Sequence, residues 1–128
     1  MNKQKAYTTE DFLSMHPKDL IAVLQDLYIF DIPETIETIE EMQSVGGMLS
    51  ISNNQYSYLC VLSSYAKVKV RELKRANIKN SYEDAIDRRD IIESITSAVK
   101  ERARTLSRLI TIKQEVNEEL KMTEGRVF

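Results

Sequence analysis

The sequence predicts an all-α protein: an antiparallel hairpin of two long helices carrying a small N-terminal helical subdomain. Three observations lead there. From Ser81 to about Met122 the chain holds no Gly or Pro, so roughly 40 residues contain nothing that breaks a helix. Gly numbers 3 and Pro 2 in 128 residues, and valine-rich alternating runs are scarce, which disfavours a sheet. A short polar turn, Asn77 to Asn80, separates two apolar stripes of helical period, and helices joined this closely pack antiparallel.

Taken in order, residues 1 to 8 read as a loose arm, after which Thr9 caps a short turn through Glu10, Asp11, Phe12 and Leu13. Pro17, preceded by His16, suits the first position of the next helix, where Leu20, Ile21, Val23, Leu24, Leu27 and Tyr28 recur at helical spacing. Asp31, Ile32 and Pro33 repeat that punctuation. Ile36, Ile39 and Met42 then continue until Gly46 and Gly47 end the run, with Glu34, Glu37, Glu40 and Glu41 on its wet side. Met48 to Asn54 is the expected connection. Residues 1–52 thus form an acidic helical subdomain too poor in apolar content to stand alone, and residues 53–128 form the hairpin, with a basic middle and a C-terminal overhang.

The first hairpin helix is expected from about Asn54 to Asn77, capped by Ser52 or Asn53, with Tyr58, Val61, Leu62, Tyr65, Val68 and Leu73 inward. The second opens at Ser81, whose hydroxyl can accept from the N–H near Asp84, while Glu83, Asp84 and Asp87 suit the positive end of the dipole. Along it Ala85, Ile92, Ile95, Val99, Leu106, Ile110, Val116 and Leu120 form one stripe, which Ile91, Leu109 and Ile112 widen. At about 1.5 Å per residue this helix would span on the order of 60 Å. The turn sets a register in which Lys67 meets Glu93 and Glu72 meets Arg88. It also leaves Leu106, Leu109, Ile110, Ile112, Val116 and Leu120 overhanging, to be covered by the N-terminal subdomain or by a second copy in a homo-oligomer.

The net charge of −2 hides a division. Through residue 52 there are three basic and nine acidic residues, whereas residues 67 to 113 hold thirteen basic and seven acidic ones. Such a charge dipole suits a phosphate backbone at one end and a basic partner at the other. The lone cysteine, Cys60, and the lack of a signal peptide or a bilayer-length apolar run point to a cytoplasmic protein without membrane association.

Catalytic chemistry needs groups that attack, transfer protons or hold a metal, and the stock here is His16, Cys60 and carboxylates on ordinary helix faces. His16 reads as a cap and Cys60 as a small buried hydrophobe. Glu37, Glu40 and Glu41 belong to one segment, whereas hard cations need oxygens from several. Gly46-Gly47 lacks the Lys and hydroxyl of a phosphate loop. No catalytic residue, metal site or cofactor is therefore expected, and the chain reads as a non-enzyme.

The informative constellation is basic. Lys67, Lys69, Arg71, Lys74, Arg75 and Lys79 are interrupted by one acid, Glu72, and Lys67, Arg71, Lys74 and Arg75 share a helix face that could track phosphates. Part of the cluster also suits the negative end of the dipole and needs no ligand. A second group, Lys100, Arg102, Arg104, Arg108 and Lys113, places Arg104 and Arg108 one turn apart. Tyr56, Tyr58 and Tyr65 could stack on unpaired bases, although their apolar spacing favours core packing.

Residues 56–120 combine a tyrosine-bearing helix with a Lys/Arg-rich exit, the join KNSYED (Lys79 to Asp84) and the long-helix run AVKERARTLSRLITIKQE (Ala98 to Glu115). In these respects the segment resembles the UvsY-type recombination mediators of large tailed phages. The resemblance implies a small helical accessory protein that assembles into oligomers, binds single-stranded DNA and serves a recombinase. The alternative, drawn from the acidic third, is an adaptor or inhibitor whose acidic helices dock on a basic surface of a host or phage protein.

Overall fold

The computed structural model describes residues 6–127, with side chains through Met122. Four helices follow one another, α1 (Thr9–Ser14), α2 (Pro17–Tyr28), α3 (Ile39–Ala76) and α4 (Lys79–Val127), with no strand among the described residues. The fold is the all-α hairpin expected. α3 and α4 pack along each other, and α1 and α2 lie against them.

The short helices are fixed by their caps. Thr8, one residue ahead of the expected Thr9, forms a capping box: its hydroxyl accepts from Asp11 N at 3.1 Å and its N–H donates to Asp11 Oδ2 at 2.8 Å. The first five residues of the expected arm lie outside the described residues, and the rest is ordered by packing, with the Tyr7 and Phe12 rings 5.5 Å apart. His16 caps α2, its Nδ1 accepting from Lys18 N at 3.2 Å, and Pro17 follows at the first helical position.

The largest departure from the sequence reading is α3. It starts at Ile39 behind the cap Thr38, whose hydroxyl accepts from Glu41 N at 3.1 Å, and then runs unbroken for 38 residues. Gly46 and Gly47 lie inside it, the expected connection Met48 to Asn54 is helical, and residues 39–52, assigned to the N-terminal subdomain, are its first third. Ser52 caps nothing. It is fully buried, and its hydroxyl donates to Met48 O at 2.8 Å. Burial outweighs propensity here: Val45, Ser52 and Leu59 recur every seven residues against α4, and a loop would strip them from it.

The inward face of α3 is Leu59, Leu62, Ser63, Ala66 and Val70, while Val61 and Tyr65 are about half exposed and Val68 is 41% exposed. The expected stripe thus included the wrong edge, because Ser63 and Ala66 do not register as apolar signals although their small side chains let α4 approach. On α4 the expected residues Ala85, Ile92, Ile95, Val99 and Leu106 are buried. The hairpin turn is tighter than expected. Asn77 closes α3 in the left-handed region at φ 58°, donating to Leu73 O and Lys74 O, and α4 begins at Lys79, so Ser81 lies within the helix rather than at its cap. Lys67 Nζ stands 3.5 Å from Glu93 Oε1, in the expected register. Arg88 does not meet Glu72; its Nε donates to Met15 O at 2.6 Å.

Two cores result. The main one gathers Phe12, Leu20 and Leu24 from the short helices onto Leu59, Leu62, Ile92 and Val99, and the second joins Ile36, Val45 and Leu106. Because α3 begins so early, it covers much of the supposed overhang. Leu106 is fully buried and Leu109 and Ile110 pack against the second core, which removes Leu106 from the surface offered to a second copy. Ile112, Val116 and Leu120 stay 43–58% exposed.

Candidate nucleic-acid interface

Lys67, Arg71, Lys74 and Arg75 are all exposed on the last turns of α3. Their spacing confines them to an arc of roughly 100° of the helix. Lys67 shares its charge with Glu93, whereas no ion pair is formed by Arg71, Lys74 or Arg75 among the described residues. Lys79 continues the group across the turn, where Leu73, Ile78 and Tyr82 floor a small groove between Lys74 and Lys79. The end of the hairpin therefore presents several solvated cations with fixed helical spacing, an arrangement that attracts a polyanion without reading its sequence.

Arg104 and Arg108, the other expected phosphate contacts, do not join this group. Both are exposed on α4, and Arg104 Nη1 is engaged by Glu101 Oε1 at 2.8 Å. The electrostatic influence of Arg104 reaches Tyr56 on α3, some fifteen residues or about 22 Å of helix from Arg71. One short segment of backbone cannot touch both groups at once.

The tyrosines expected to stack on bases, Tyr56, Tyr58 and Tyr65, lie off the cationic face, whereas Tyr82 lines the groove between Lys74 and Lys79. Tyr58 is half-buried, stacked on Tyr28 with centroids 6.4 Å apart and edge-on to Phe12 at 6.5 Å. Burial and the neighbouring Tyr58 push the Tyr28 phenol up to about 12. The Tyr56 phenol is also raised, chiefly by its hydrogen bond with Cys60 and despite Arg104. Tyr65 is 53% exposed, yet it lines a groove with Leu13, Val68 and Glu72, on a different side of α3 from Arg71.

Arg102, which the sequence grouped with surface cations, is 8% exposed. Its Nε donates to Ser52 Oγ at 2.8 Å, its Nη1 to Tyr28 O and its Nη2 to Gln55 Oε1, and its guanidinium lies 3.7 Å over the Phe30 ring. The acceptors are neutral, and burial lowers its pKa from the ordinary guanidinium value. Arg102 therefore joins α2, α3 and α4 and is not available to a ligand. A signal was present: Ala85, Arg88, Ile92, Ile95, Val99, Arg102 and Leu106 alternate in steps of three and four, so both arginines occupy inward positions.

Among the described residues no group of three or more His, Cys, Asp or Glu side chains is placed to hold a metal, and no helix is long and apolar enough to cross a membrane. At the opposite end of the hairpin, Ile36, Leu109, Ile112 and Val116 line an open groove of about 310 Å³ edged by Glu34, Glu37 and Lys113. No protein-family model, curated protein or solved structure matches the chain.

Proposed function

We propose that this protein is a non-enzymatic accessory factor that binds single-stranded nucleic acid through the cationic end of α3, acting as a homo-oligomer in the manner of the phage recombination mediators it resembles. The main support is the solvated face of Arg71, Lys74 and Arg75, which carries no ion pair and stands beside the half-neutralised Lys67. Each phosphate neutralised on a single strand releases counterion and contributes about −0.7 to the slope of log affinity against log salt. Three or four contacts give a slope of roughly −2 to −3. Replacing Arg71 and Lys74 together by Ala should flatten it by about 1.4. Unchanged slope and affinity in that variant, or no binding by the wild type at low salt, would remove this reading.

The acid-edged apolar groove favours a second reading, in which the protein is an adaptor or inhibitor that takes a basic, amphipathic segment of another protein. Binding of such a partner undisturbed by the Arg71 and Lys74 substitutions, in a protein that does not bind oligonucleotides, would support it instead.

A further inference from the structure

The two ends of the hairpin are complementary to each other. From Asp31 to Glu41 the chain has five acids and no basic residue, and residues 109–117, which run beside this stretch, add Lys113 and Glu115, so this end carries about −5. At the turn end, residues 67–90 hold eight cations and five acids, a net of +3 concentrated on α3. The acidic end has the groove over Ile36, Ile112 and Val116, and the turn end has Ile78, 49% exposed at its apex between Lys74 and Lys79.

We propose that the chain associates head to tail, the cationic turn of one copy seating Ile78 in the acid-edged groove of the next. Charge decides between this and the symmetric alternative. Pairing the C-terminal stripes about a two-fold axis would set −5 against −5 at close range, whereas the head-to-tail contact sets +3 against −5. Head-to-tail contacts leave one donor and one acceptor surface free at each stage, so they close into a ring or continue as a filament rather than stop at a dimer. This inference rests on the oligomeric part of the function proposed above and does not require nucleic-acid binding. Because the contact and the strand draw on the same Arg71 and Lys74, the next copy and nucleic acid compete for the turn, and added oligonucleotide should shorten the assembly.

The test is sedimentation velocity of the full chain at ~20 mM and ~500 mM salt, where the screening length falls from about 20 Å to about 4 Å. Species larger than a dimer should form at low salt, with association weakened about tenfold or more at high salt. Glu34→Lys with Glu37→Lys takes the acidic end to about −1, and Arg71→Glu with Lys74→Glu takes the turn end to about −1. Each double variant alone should sediment as a monomer, and an equimolar mixture of the two should form a one-to-one heterodimer and nothing larger, because only the intact turn of one and the intact groove of the other are complementary. The heterodimer also establishes that both variants are folded; if the acidic-end variant loses helical signal, Glu34→Gln with Glu37→Gln serves in its place, and if the turn variant does, Arg71→Ala with Lys74→Ala, each of which should weaken assembly without abolishing it. A wild type that stays monomeric at low salt, a dimer that tightens as salt rises, or reversed variants that assemble like the wild type would each overturn the proposal. Because Glu34 and Glu37 lie outside the cationic face, oligonucleotide binding retained by their variant separates failure of assembly from failure of the function proposed above.

Discussion

Replacing Gly46 and Gly47 by Ala is expected to stabilise the protein. Both lie in the interior of α3, and a Cβ built at either position meets no atom within 4 Å. The substitution therefore brings helix propensity without a clash. At about 0.8–1.0 kcal/mol per glycine in a helix interior, the pair should add about 1.6–2 kcal/mol. An unfolding entropy near 2.1 cal/mol/K per residue, taken over 128 residues, is roughly 0.27 kcal/mol/K, so the thermal midpoint should rise by about 6–7 °C. The companion variant Gly47→Pro removes an internal hydrogen bond and should cost about 3 kcal/mol. Circular dichroism at 222 nm during heating reads both. A loop at residues 46–54 would reverse the second outcome, because a connection tolerates proline; a midpoint unchanged by Gly47→Pro, or lowered by the alanines, refutes the unbroken helix.

Arg102→Leu leaves Ser52, Gln55 and the Tyr28 carbonyl without their shared donor and should cost on the order of 3–5 kcal/mol in urea titration, while Arg102→Lys recovers only part of this because one ammonium cannot reproduce the three-way fork. Tyr28 has a folded-state pKa raised above 10.0 to about 12, so the stability it contributes is complete below pH 10 and is lost as pH rises through about 12; Tyr28→Phe should flatten the alkaline limb of a stability–pH curve. Lys67→Ala removes an exposed pair and should change stability by less than about 1 kcal/mol, measured by the same denaturant titration.

The hairpin was legible in the sequence because its signals are local: no breaker from Ser81 to Met122, a polar turn, and an α4 stripe that held over Ile92, Ile95, Val99 and Leu106. The early start of α3 was hidden by Gly46-Gly47 and the polar run Ser50 to Asn54, which match a connection in every local respect. What overrides them is non-local, namely a partner helix that buries Val45, Ser52 and Leu59 in a seven-residue repeat. Of the cations, Lys67, Arg71, Lys74 and Arg75 could be placed together from spacing alone. Arg88 and Arg102 were misplaced on the surface by their charge, although their positions in the α4 repeat marked them as inward, and the neutral acceptors they meet come from segments some fifty to seventy residues away.

Those two arginines also order the events of folding. They stand two heptads apart on α4 and reach the carbonyls at the ends of the two short helices, Met15 after α1 and Tyr28 closing α2. Neither can form its bond until α4 exists, whereas α3 and α4 need only meet across a two-residue turn. The hairpin should therefore zip first from Asn77, and residues 6–28 should dock afterwards as a separate cooperative unit. In native-state hydrogen exchange the amides of α2 should then open at lower free energy than those around Leu59 and Val99, leaving a hairpin that is stripped on one side but still paired.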